Sequence, residues 1–130
     1  MIVHSDDGLD EVSITAPTTL MHVRGRNVTT ERFDPATLGL EPTTLADLTA
    51  RDLDHATAMV RGVLDGEDRG PARNISLVNA AVTLLVADEV KSIEEGFERA
   101  AETIDDGRAR ETLAKLVELS NDEARRHVGT

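Results

Sequence analysis

The sequence predicts an α/β fold in which a few strands are followed by about four helices. Three observations predict it. Up to Phe33 the apolar residues come in short or alternating runs broken by glycine and proline, which is strand and turn patterning. From Asp52 onward the apolar spacing changes to three and four residues, the repeat of a helix with one buried face. The only aromatic residues are Phe33 and Phe97, so a core must be built from Leu, Val, Ile and Ala.

Met1 to His4 is a short apolar run that predicts a buried strand. Its character suits a central position in a sheet, and a chain that opens inside a core strand reads as completing a larger sheet. Asp6-Asp7-Gly8 is turn chemistry. Val12-Ser13-Ile14-Thr15 alternates and predicts a second strand, stopped by Pro17. Thr19 to Val23 and Val28 to Phe33 flank the turn Arg24-Gly25-Arg26-Asn27, which predicts a hairpin. Asp34-Pro35 opens a short turn or helical piece ending at Gly39, and Thr43 to Leu48 fits another single helical turn.

Leu53, Ala56, Met59, Val60, Val63 and Leu64 form one face of a helix, with Gly66 beyond its end. A polar loop leads to a second helix starting near Pro71. From Ile75 to Val86 that helix has almost no polar face, which predicts burial on most sides. Asn79 in its middle must find hydrogen-bond partners or cost about 1–3 kcal/mol in desolvation. Ser92-Ile93-Glu94-Glu95 is a capping box for a third helix, with Ile93, Phe97, Ala100, Ala101 and Ile104 on one stripe. Asp105-Asp106-Gly107 ends it. Ala109, Leu113, Leu116 and Val117 mark the inner face of a last helix, and the polar tail over 121–130 is expected to fray.

The 130 residues suit one domain or part of one. A net charge of -11 argues against a phosphate-tracking surface, and so against nucleic acid or an anionic membrane as partner. An acidic, lysine-poor surface of this kind fits a salt-loving source or an ordinary protein of low pI. The chain has no cysteine, so disulfides, thiolate metal sites and cysteine nucleophiles are excluded. The acidic start is unlike a signal peptide, and Ile75 to Ala87 is too short to span a bilayer of about 30 Å, so a cytoplasmic setting is expected.

Asp10 and Glu11 are the candidate metal ligands. Adjacent carboxylates after a strand and a glycine turn can supply the one or two acids that magnesium takes from a protein. The same pair also fits a solvated acidic turn. His4, His22, His55 and His127 show no metal-binding spacing, and His4 reads as a packed or hydrogen-bonded residue rather than a catalyst. Ser13 and Ser76 sit in no nucleophile-elbow pattern. Gly66 to Gly70 carries Glu67 and Asp68, whose charge would repel phosphate. Arg73 near a helix start could hold an anion or form a helix–loop salt bridge.

His4-Ser5-Asp6-Asp7-Gly8-Leu9-Asp10-Glu11 resembles the segment of the anthranilate phosphoribosyltransferase family that carries its Asp-Glu pair. Ala16-Pro17-Thr18, Phe33-Asp34-Pro35 with Leu38-Gly39-Leu40, and Gly62-Val63-Leu64-Asp65-Gly66 follow in the family's order. So do Leu77-Val78-Asn79-Ala80-Ala81, Ser92-Ile93-Glu94-Glu95-Gly96 and Ile104-Asp105-Asp106-Gly107-Arg108-Ala109. The ordered series, rather than any one motif, carries the resemblance. His55 stands where the family usually has asparagine.

The resemblance implies the C-terminal portion (1–130) of a phosphoribosyltransferase α/β domain, without the family's helical domain or its glycine-rich phosphate loop. It implies transfer of phosphoribosyl from phosphoribosyl pyrophosphate to anthranilate in tryptophan biosynthesis. Asp10 and Glu11 match the pair that holds Mg2+ against the diphosphate. The complete enzyme is expected to be a homodimer, and this chain alone to be inactive. Two other readings stand beside this one. The chain could be a non-catalytic module or split subunit docking onto an N-terminal partner through its first strand and its most apolar helix. It could also be part of a related pyrimidine nucleoside phosphorylase.

Overall fold

A computed structural model describes the backbone of residues 1–127 and the side chains of residues 1–121. Three strands, β1 (Ile2–Ser5), β2 (Thr18–Arg24) and β3 (Asn27–Phe33), form an antiparallel sheet in the order β1-β2-β3. A 3-10 turn at Pro35–Leu38 and a one-turn helix α1 (Leu45–Leu48) lead to α2 (Leu53–Leu64), α3 (Pro71–Val86), α4 (Ile93–Asp105) and α5 (Arg108–His127). The expected α/β fold, with four longer helices after the strands, is the one observed.

The predicted hairpin is β2–β3, with Arg24 paired to Asn27 around a turn in which Gly25 takes φ +63°. Side-chain caps close the helix starts. Asp34 accepts from the Ala36 amide, and Asp52 accepts from the His55 amide. Pro71 sits at the start of α3, where its missing N–H costs nothing. Ser92 accepts from the Glu95 amide at 3.2 Å, but the Glu95 carboxylate reaches the Lys91 amide at 2.7 Å rather than that of Ser92.

The segment Val12 to Thr15 is not a strand. Val12, Ser13 and Ile14 are buried, as the alternation suggests, yet they sit in no ladder. Side chains take the place of a neighbouring strand. Asn79 bonds both the N–H and the C=O of Val12, the Thr18 hydroxyl accepts from the Ser13 amide, and the Ser13 hydroxyl accepts from the Thr15 amide. Buried backbone polar groups need partners, but nothing requires those partners to be backbone.

One core lies between sheet and helices, where Val12, Ile14, Leu20 and Phe33 pack on Val78, Ala81, Val82 and Ile93. A second joins Val63, Leu77, Ala100 and Ile104 across α2, α3 and α4. Outside these cores the apolar faces are less covered than their pattern suggests. On β1, Ile2 is 55% exposed and His4 is exposed rather than packed. On α3, Ser76, Ala80 and Thr83 face outward, so this helix is buried on one side only. On α5, Leu116 and Val117 are exposed, and the expected inner face is reduced to half-buried Ala109 and Leu113. An apolar stripe tells which side of a helix avoids water, not whether the same chain supplies its cover. The backbone of α5 stays helical to His127, and the rest of the expected fray lies outside the described residues.

Candidate functional site

The loop after β1 is closed on itself. The Gly8 amide donates to the Ser5 carbonyl at 3.1 Å, and the Ser5 amide donates to the Leu9 carbonyl at 3.2 Å. Gly8 takes φ +92°, a conformation that favours glycine.

The four acids of this loop divide into two pairs. Asp6 forms a forked ion pair with Arg32 on β3, at 2.5 and 3.0 Å, and its carboxyl is held below the usual range by that guanidinium. Asp7 accepts from the Leu9 amide at 3.2 Å, from the Ser13 hydroxyl at 2.5 Å, and from the Thr15 hydroxyl. Burial pushes the Asp7 carboxyl up, but the hydroxyl donors outweigh it and bring the pKa down to about 2. Asp6 and Asp7 are thus engaged in holding the loop.

Asp10 and Glu11 remain exposed at its outer side. Burial, and then the neighbouring charge of Asp10, push the Glu11 carboxyl up. The pair borders a hollow of about 330 Å³ that is also lined by Met1, Val3, Asn79 and Thr83. A larger apolar groove of about 690 Å³ runs along the outer side of α3, with Met59, Val60, Ala80 and Thr83 among its walls.

The other sequence candidates resolve into structural roles. Arg73 is buried and donates to Asp105 at 2.9 Å, a bridge between α3 and the end of α4 that Arg69 joins at 2.8 Å. This is the salt bridge, not the anion site. In the Gly66–Gly70 loop, Asp68 accepts from the Gly70 amide at 2.6 Å. His22 pairs with Glu31 across the hairpin, and His55 accepts from the Arg51 amide. Among the described residues, no three His, Cys, Asp or Glu gather as a metal cage. Sequence reasoning missed the brace formed by Asp7, Ser13 and Thr15. The signal available was weak: one acid and two hydroxyl residues within nine positions.

A small antiparallel sheet backed by helices, with two exposed carboxylates on a braced loop, defines an α/β domain. Residues 1–110 match the model of the glycosyl transferase family, a/b domain, and the chain belongs to that family. It is 45% identical over 120 residues to the anthranilate phosphoribosyltransferase of Thioalkalivibrio sulfidiphilus, covering 92% of this chain and 35% of that protein. The anthranilate phosphoribosyltransferase of Saccharomyces cerevisiae in complex with 4-fluoroanthranilate superposes with a TM-score of 0.79 at 28% identity, over 89% of this chain and 34% of that one. The same yeast enzyme in complex with PRPP and Mg gives 0.76 at 29% identity, over 86% and 32%. The chain therefore spans about a third of the length of the relatives it matches. None of its described helices is long and apolar enough to cross a membrane.

Proposed function

We propose that this chain supplies Asp10 and Glu11 as the magnesium-holding carboxylates of an anthranilate phosphoribosyltransferase. That enzyme moves phosphoribosyl from phosphoribosyl pyrophosphate to the amine of anthranilate, a step of tryptophan biosynthesis that fits a cytoplasmic setting. The observation that carries the reading is the division of the loop's acids. Two are engaged as braces and two are left free, in a chain 45% identical to such an enzyme.

The donor set fits the ion. Magnesium favours oxygen ligands, takes one or two carboxylates and keeps several waters, so a pair of carboxylates suits it. The Asp10 charge works against ionisation of Glu11, and a bound cation relieves that repulsion. When bound, the ion neutralises charge that gathers on a leaving diphosphate. Asp10 and Glu11 would hold and orient it, and the hydrogen bonds of Asp7 keep the loop beneath them in place.

The sequence contains no glycine-rich phosphate loop, and its one glycine-flanked loop, Gly66 to Gly70, is acidic. Transfer is therefore expected to need a polypeptide that carries such a loop. The test follows loss of anthranilate fluorescence in the presence of phosphoribosyl pyrophosphate and Mg2+. The chain alone is expected to be inactive, and active when combined with a family member's remaining segments. The double substitution Asp10→Asn, Glu11→Gln should then lower the rate at least about 100-fold. Transfer by the chain alone overturns the need for those segments. An undiminished rate in the double variant overturns the assignment of the pair.

A docking module is the second reading. The observations that favour it are the open apolar groove on α3 and exposed Ile2 on β1. Complex formation without transfer would select it. The anthranilate-directed relatives favour an anthranilate acceptor over a nucleoside.

A further inference from the structure

We infer that Asn79 is a positioning residue for the Asp10–Glu11 pair, an inference that rests on the reading of that pair as the ion-holding site. The pair lies between two residues, Leu9 and Val12, whose backbone is held by side chains. On one side, Asp7 accepts the Leu9 amide at 3.2 Å. On the other, Asn79 grips Val12: its Oδ1 accepts the Val12 amide at 2.9 Å, and its Nδ2 donates to the Val12 carbonyl at 2.9 Å. The same Nδ2 donates to the Ile75 carbonyl at 3.0 Å, which ties the side-chain amide back to its own helix.

The geometry makes this a grip on Glu11. The Val12 nitrogen belongs to the Glu11–Val12 peptide plane, and that plane contains the Glu11 Cα. A planar side-chain amide with three hydrogen bonds has no free rotation left, so it sets the height and tilt of this plane relative to α3. Val12 is fully buried, so its backbone groups depend on protein partners. Asn79 thus fixes where the Glu11 side chain leaves the backbone, without itself having to touch an ion. Groups that orient metal ligands typically change metal affinity 10–100-fold when removed. A helix interior is otherwise a poor place for asparagine, which makes the clamp a reason for its presence.

Mn2+ serves as the probe, with free ion followed by electron paramagnetic resonance on the whole chain. Wild type, Asp10→Asn with Glu11→Gln, and Asn79→Ala are compared, with circular dichroism and melting recorded for each. The hollow beside Asn79 lets water reach Val12 in the alanine variant, which favours its folding. The expected result is loss of Mn2+ binding in the double variant, and affinity about 10-fold weaker in folded Asn79→Ala. Binding that survives the double substitution overturns the site reading, and the positioning role falls with it. Binding lost in the double variant but within twofold of wild type in folded Asn79→Ala overturns the positioning role alone.

A second measurement uses the wild type only and decides the matter if the variant does not fold. Coupling between ion and clamp is reciprocal, so saturating Mg2+ should slow hydrogen exchange of the Val12 amide severalfold relative to that of Leu20 on β2. A merely structural bond predicts no such difference. An unchanged Val12 to Leu20 ratio overturns the proposal.

Discussion

Gly96 of α4 lies against Ala81 of α3 so closely that a Cβ on Gly96 would sit 2.8 Å from the Ala81 Cα and 2.9 Å from its Cβ. The two helices can approach this far only because one residue has no side chain and the other has one carbon. This contact also sets the distance between α4 and the helix that carries Asn79.

Gly96→Ala should therefore destabilise the fold. The overlap is with backbone and a buried methyl, neither of which can swing aside, and forcing a carbon into a filled contact costs about 1–3 kcal/mol. Gly62 on α2 provides the contrast, since a Cβ there meets only the Asp68 Cβ at 3.6 Å. Gly62→Ala should stabilise by about 0.5–1 kcal/mol through helix propensity. Urea denaturation of the two variants should move the midpoints in opposite directions.

The Arg73–Asp105 bridge should respond unequally to its partners. Arg73 is 4% exposed, and its Nη1 makes no hydrogen bond. Asp105→Ala strips the buried guanidinium of its counter-charge and should lower the denaturation midpoint clearly. Arg69→Ala removes only the exposed arm of the bridge and should leave the midpoint nearly unchanged. Arg73→Met should be better tolerated than Asp105→Ala, because an apolar side chain of similar length leaves no unpaired charge inside.

Asp7 should give the loop a sensitivity to acid. Its carboxyl falls from the ordinary 3.8 to about 2 in the folded state, so the unfolded chain takes up this proton first as pH drops. The stabilisation is complete above about pH 4 and is lost as pH falls through about 2. Asp7→Asn should flatten this part of the acid limb, measured as the melting temperature between pH 4 and pH 2. An equal slope in both proteins would remove Asp7 as its source.

Chelation should leave the fold intact. The loop is braced by Asp7, Ser13, Thr15 and Asn79, all groups of this chain, so the melting temperature should be the same with EDTA as without added metal. Structural metal sites behave in the opposite way, because there the binding energy is folding energy. A marked loss of stability in EDTA would show that the loop depends on a cation.

Much of the fold was legible in the sequence because its signals are local. The hairpin follows from alternation around Gly25, and the starts of α2, α3 and α4 follow from Asp52, Pro71 and Ser92. Each of these acts within a few residues. The acidic pair was legible as two residue types, and the family resemblance of the surrounding series agrees with the match over residues 1–110.

The sequence by itself determined the order of elements, their ends, the aliphatic core and the two candidate ligands. Tertiary structure decided what those two candidates stand on. The Val12–Thr15 run has the period of a strand, but its partners are Asn79 and Thr18, and Asn79 lies 67 residues away. Tertiary structure also decided which of the loop's four acids are free, because Arg32, Ser13 and Thr15 engage Asp6 and Asp7 only once the sheet has formed. Local patterning records which faces are apolar and where a helix begins. A hydrogen bond between distant side chain and backbone leaves no period in the sequence, so only the folded chain shows it.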